Sequence, residues 1–162
     1  RQHRDPDKLL RDLAAEGVKL VTWASPYLAP GTQALVEARA RGFDVPGARG
    51  DFGDQVDLTS PAAMAWWQAR LEPVLRRGVR GVKADRGEEN VLGDRARWAN
   101  GDPDRLNHNL YPRLWAKAVS ETVRRVHGDD GVSIGRCGGT GAWADWTALW
   151  TGDNIGWTAD PK

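Results

Sequence analysis

Two short strings in the chain bring together residue types suited to nucleophilic and acid–base chemistry. In residues 81–90, GVKADRGEEN, Lys83 and Asp85 lie two apart at the end of an apolar run. Alternate residues of a strand share a face, so both side chains leave on one side and Ala84 on the other. A cation beside a carboxylate keeps it ionised, and only the anion is a nucleophile. The plainer reading of Asp85 is a solvated aspartate that opens a turn with Gly87. In residues 150–154, WTGDN, Asp153 follows Trp150 and two small residues. An apolar ring beside a carboxyl raises its pKa, as a general acid requires; an aspartate in a G-D-N turn is the alternative. Arg136, in SIGRCGG, has a fork of donors that could orient hydroxyls or steady a carboxylate, or it is a surface residue at a strand end.

The elements that would position these residues follow from hydrophobic period and punctuation. Asp5 and Pro6 start a helix whose Leu9, Leu10 and Leu13 share a face, and Gly17 closes it. Residues 18–24 (VKLVTWA) read as a strand broken by SPY. Residues 31–41 fit a helix, and FDVPGARGDFGDQVDL reads as a long excursion or small hairpin. Thr59 and Ser60 before Pro61 open a helix in which Met64, Trp67, Leu71 and Val74 recur, with a kink or early stop expected at Pro73. Residues 81–84 form a strand ending at Asp85, and the polar stretch after it reads as loop. A second long helix carries Leu114, Trp115, Ala118, Val119, Thr122 and Val126 as one stripe, with Pro112 near its beginning and Gly128 at its end. Residues 132–135 form a strand ending at Arg136, and residues 146–150 a further short one. This alternation predicts βαβ units and a parallel sheet, whose strand carboxyl ends converge on a ligand site.

Composition narrows the class of partner. Lys and Arg number 23 against 22 Asp and Glu, so no basic field for nucleic acid or anionic membrane is expected. No apolar run approaches a membrane span, and RQHRDPDK carries no signal-peptide core or initiator Met, so the true N-terminus is expected to lie upstream. The single Cys137 excludes an internal disulfide framework and suits a cytoplasmic setting. Nine Trp stand against two Phe and two Tyr, and indole both fills cores and stacks on sugar rings; of the adjacent Trp66 and Trp67, at least Trp67 reads as core. GRCGGTG lacks the G-K-[S/T] ending of a phosphate loop, GDFGDQVD lacks the order of a calcium loop and reads as solvated, and His3, His108 and His127 show no metal-ligand spacing.

VKLVTWASPYL, VDLTSPAAMAWWQARLEPVLRRGVRGVKADRGEE, HNLYPRLWAKAVSETVRR, GRCGGTG and WTGDN occur in the order and approximate spacing of glycoside hydrolase family 31, the α-glucosidase and α-xylosidase family, which the chain resembles over nearly its whole length. The resemblance implies an α/β fold, a (β/α)8 TIM-barrel catalytic domain. Residues 1–162 would supply about strands 3 to 6 of it, truncated at both ends. It also implies double displacement with retention: Asp85 forms the glycosyl-enzyme intermediate, and Asp153 protonates the leaving oxygen and then activates water. Lys83 and Arg136 would hold sugar hydroxyls, Trp23 and Trp150 would wall the pocket, and a carbohydrate substrate would be cleaved with no cofactor or metal.

Related α-galactosidase barrels also carry a Lys-x-Asp nucleophile. A sugar-binding protein without catalysis and an open-sheet phosphate binder remain the readings from other classes. Three positions depart from the family pattern: Ser25 stands in the W-x-D/N-P-Y string, Arg86 follows the nucleophile where a small or aromatic residue is usual, and Cys137 replaces a frequent Ser. Arg86 admits an anionic substituent on the sugar, or a salt bridge to Glu88 or Glu89. A closed barrel takes about 250 residues, so the segment alone is expected to expose unpaired sheet edges and to have little or no activity.

Overall fold

Four short, largely apolar runs form one parallel sheet. The computed structural model describes residues 5–45, 53–88 and 96–152. Its strands are β1 (Val21–Ala24), β4 (Gly81–Ala84), β5 (Val132–Gly135) and β6 (Ala148–Leu149), in the order β1-β4-β5-β6. Trp23 is in register with Lys83 and Ile134, and Ala24 with Ala84 and Gly135. Among the described residues β1 and β6 are the outer strands, as expected for a sheet that has not closed. A small antiparallel pair, β2 (Tyr27–Leu28) with β3 (Asp54–Gln55), follows β1.

The helices are α1 (Pro6–Ala15), α2 (Gln33–Arg41), α3 (Pro61–Arg76) and α4 (Asp104–His127). Three begin on the side-chain caps their sequence offers: Asp5 accepts from the Lys8 N–H, Thr32 from Leu35 and Ser60 from Ala63. α3 and α4 pack on each other and cover one face of the sheet. The Trp67 and Trp115 rings meet edge to face at 4.7 Å between centroids, and Val82, Ala84 and Ser133 are buried beneath the helices. The opposite face carries Trp23 and Lys83 and is much more open, Trp23 being 54% exposed. Strand alternation therefore divides β4 as expected, with Ala84 in the core and Lys83 on the open face.

Several local expectations need correction. The first strand starts at Val21 rather than Val18. Pro73 does not stop α3, which runs to Arg76, because Leu71 and Leu75 on either side are buried and Arg77 resumes the ladder by donating to the Pro73 carbonyl. α4 starts eight residues before Pro112, so that proline is interior rather than initial; it is buried against the core. Residues 53–57 are not solvated loop. Asp54 and Gln55 form β3, and Asp57 is buried, its carboxylate accepting from the Thr59 N–H and hydroxyl and from the Ala99 N–H at 2.7 Å. Three donors, two from the neighbouring Thr59 and one from the distant Ala99, turn an acidic string into a structural clamp. Trp66 and Trp67 are both core.

Candidate active site

The strand ladder positions three of the expected site residues by the same device. Asp85, Arg136 and Trp150 each stand one residue beyond the end of a strand. Each still donates its backbone N–H to the last residue of the neighbouring strand: Asp85 to the Ala24 carbonyl at 2.8 Å, Arg136 to Ala84 at 3.4 Å, and Trp150 to Gly135 at 3.0 Å. Their Cα positions are thus set by the sheet, and their side chains lie at its carboxyl edge. Trp23 and Lys83, in register with each other, approach from the residue pair behind.

The other four residues gather around Asp85, which is 7% exposed. The Trp23 indole donates to Oδ2 at 2.8 Å, the Arg86 backbone N–H donates to Oδ1 at 2.9 Å, and Arg136 Nη1 lies 3.1 Å from Oδ1. Lys83 Nζ is 3.8 Å from Oδ2 and sits 4.0 Å from the centroid of the Trp150 ring, a cation–π contact that holds the ammonium in the cluster. Burial raises the Asp85 pKa, but the Trp23 indole, Arg136, the Arg86 N–H and Lys83 together lower it below the ordinary aspartate value. The result is an ionised carboxylate at neutral pH, fixed in direction and largely shielded from water.

A tight turn follows the carboxylate. Arg86 has φ 65° and Gly87 φ 105°, and a Cβ added to Gly87 would lie 3.0 Å from Trp115 Cδ1. The turn brings Glu88 back to the sheet edge, where its Oε1 accepts from Arg136 Nε at 2.7 Å. Glu88, considered from sequence only as a partner for Arg86, is thus bonded to Arg136, while Glu89 lies outside the described residues. Asp153 also lies outside them. Ser25 is occupied locally, its hydroxyl accepting from the Tyr27 N–H at 3.4 Å. Cys137 is buried beneath the turn, and burial pushes its thiol up to about 12, which keeps it protonated. Among the described residues no group of His, Cys, Asp and Glu is arranged to hold a metal ion, and no helix is long and apolar enough to cross a membrane.

The sequence matches a known family over nearly its whole length. A model of the glycosyl hydrolases family 31 TIM-barrel domain matches residues 1–160. The chain belongs to glycosyl hydrolase family 31. Its four parallel strands with covering helices are consistent with a portion of that family's TIM-barrel domain. Among family 31 relatives, an α-xylosidase, XylQ, from Lactiplantibacillus pentosus is 30% identical over 80% of this chain and 18% of its own length. A sulfoquinovosidase from Escherichia coli is 30% identical over 95% of this chain and 24% of its own length. In three dimensions the chain is similar to a family 31 sulfoquinovosidase from E. rectale, solved with an aza-sugar inhibitor: TM-score 0.83 at 33% identity, over 93% of this chain and 24% of that one. The chain thus spans about a fifth to a quarter of the length of these relatives.

Proposed function

We propose that the protein containing this segment is a retaining α-glycosidase that hydrolyses terminal α-glucosides or α-xylosides, with Asp85 as nucleophile and Asp153 as general acid/base. The observation that carries the reading is the Asp85 carboxylate, held ionised at the carboxyl edge of a parallel sheet by Trp23, Lys83, Arg136 and its own turn. In the first step an Asp85 oxygen bonds to the anomeric carbon as the glycosidic C–O bond breaks and Asp153 gives its proton to the departing oxygen. In the second, Asp153 takes a proton from water, whose oxygen displaces Asp85 and restores both carboxyl groups. Two inversions give retention, and the two carboxyls must then stand about 5 Å apart. Lys83 and Arg136 present donors where hydroxyls of the bound sugar would lie, and the rings of Trp23 and Trp150 flank it.

A second reading concerns the substrate. Sulfoquinovosidases are among the relatives, and Arg86 directly follows Asp85 in the sequence, a charge that admits a sugar bearing an anionic substituent. One experiment tests both. The full-length protein is assayed on aryl α-glucoside, α-xyloside, α-galactoside and α-sulfoquinovoside, then repeated as Asp85→Ala with and without azide. Activity on at least one glycoside, its loss in Asp85→Ala, and recovery of a glycosyl azide are expected. A wild type that cleaves none of the four refutes the enzyme, and a fully active Asp85→Ala refutes the nucleophile. The preferred glycoside decides between the neutral and anionic readings. The 162-residue segment alone, with four of a barrel's strands described, is expected to be inactive.

A further inference from the structure

We propose that Glu88 is a positioning residue of this site: it holds the Arg136 guanidinium by its Nε edge, so that the terminal nitrogens face Asp85 and the sugar. The inference rests on the reading of Asp85 as nucleophile. Two carboxylates of one turn share one guanidinium. Glu88 Oε1 accepts from Arg136 Nε at 2.7 Å and Asp85 Oδ1 lies 3.1 Å from Arg136 Nη1. The sharing depends on the turn, in which Arg86 and Gly87 in succession adopt positive φ and reverse the chain so that a residue three positions on from the nucleophile returns to the same strand end. The Arg136 side chain is 15% exposed, so little water is available to replace either contact.

A guanidinium is a rigid plane, and holding it at Nε as well as at Nη1 restricts the direction of its terminal nitrogens. Among the described residues the second Glu88 oxygen, Oε2, is buried without a hydrogen-bond partner. Among them, too, the charged and titratable groups around the pair are Lys83 on β4, Asp85 and Arg86 in the turn, and Arg136 and the protonated Cys137 beyond β5.

The test uses the full-length protein as wild type, Glu88→Ala and the isosteric Glu88→Gln. Glu88→Ala is expected to lose about 10- to 100-fold in kcat/KM, the effect of removing one charge-assisted hydrogen bond. The acid limb of its pH profile moves to higher pH, because a guanidinium no longer anchored leaves Asp85. Glu88→Gln keeps an acceptor for Nε and recovers most of the rate. In crystal structures of the same proteins, Arg136 Nη1 leaves Asp85 Oδ1 in Glu88→Ala and stays in Glu88→Gln. Equal losses in the two variants with an unmoved acid limb would mean a purely structural role and overturn the proposal, as would an Arg136 that keeps its contact with Asp85 in Glu88→Ala. Should the wild type cleave no glycoside, the proposed function fails, and the two crystal structures still decide whether Glu88 positions Arg136.

Discussion

Trp23→Phe isolates one donor at the centre of the site. The indole N–H donates to Asp85 Oδ2 at 2.8 Å, and the ring is 54% exposed, so the substitution deletes a hydrogen bond while disturbing little packing. A hydrogen bond to a charged group contributes about 1.5–3 kcal/mol. That range is an upper bound on what the carboxylate loses, because the Arg86 N–H at 2.9 Å, Arg136 at 3.1 Å and Lys83 at 3.8 Å remain. The direction is fixed. Burial raises the Asp85 pKa and Trp23 is foremost among the groups that lower it, so Trp23→Phe brings the pKa back up. The assay is kcat/KM against pH for full-length wild type and variant on one aryl glycoside. The acid limb should move to higher pH, at about 1.36 kcal/mol per pH unit, with a smaller change on the neutral plateau. The same linkage appears in stability: a depressed carboxylate stabilises the fold above its unfolded pKa, and that contribution is lost as pH falls through the folded one. The two proteins should therefore differ in Tm near neutrality and converge in acid. An acid limb that stays in place, or moves down, in a folded Trp23→Phe would show that the indole does not hold the carboxylate ionised.

Two further outcomes test the framework around the cluster. Gly87→Ala must place a Cβ at φ 105° and 3.0 Å from Trp115 Cδ1, in a ring that is fully buried; a loss of about 1–3 kcal/mol is expected, and an unchanged Tm in thermal unfolding would contradict the turn geometry. Cys137 is 1% exposed with its thiol pushed up to about 12. Iodoacetamide should therefore label the Cys137 peptide of the native full-length protein at pH 8 on the order of a thousandfold more slowly than that of the denatured protein, and comparable labelling by mass spectrometry would show an accessible thiol.

What could be read from sequence divides along physical lines. β4 and β5 were expected at residues 81–84 and 132–135 and are found at those residues, because each is a short run that a glycine opens or precedes, Gly81 and Gly131, and a charged residue follows. Helix starts at Ser60 and Asp5 were legible because capping is local chemistry. Pro112 misled for the converse reason: its penalty is local, but α4 buries Tyr111, Trp115, Ala118 and Val119 along its length, and that tertiary gain outweighs one missing ladder bond. The acidic string at 53–57 misled because the Ala99 N–H on Asp57 and the Arg39 guanidinium on Asp54 come from distant parts of the chain. The site shows the same division. Lys83 beside Asp85 follows from strand alternation alone, whereas the Trp23 bond to Asp85 spans 62 residues and depends on β1 pairing with β4 in one particular register. Glu88 was visible as a residue but not as a partner of Arg136, since that pairing requires both the positive-φ turn and the β4–β5 ladder.

The two oxygens of Asp85 are held by different kinds of structure. Oδ1 is tied to the Arg86 main chain and to Arg136, whose own backbone is carried by the ladder and whose side chain is 15% exposed. Oδ2 meets the Trp23 and Lys83 side chains on the open face of the sheet, where Trp23 is 54% exposed and the Lys83 side chain 39%. The Arg86 N–H cannot move without distorting the turn, and Arg136 is held in place by Glu88 as well; the donors on the Oδ2 side can change rotamer at smaller cost. The indole and the guanidinium outweigh Lys83 in lowering the carboxylate's pKa, and they also fix its direction, which the proposed in-line attack requires. The position of Asp85 one residue past the end of β4 makes both possible, since it retains one ladder bond to Ala24 while leaving the carboxylate beyond the last pair of strand residues.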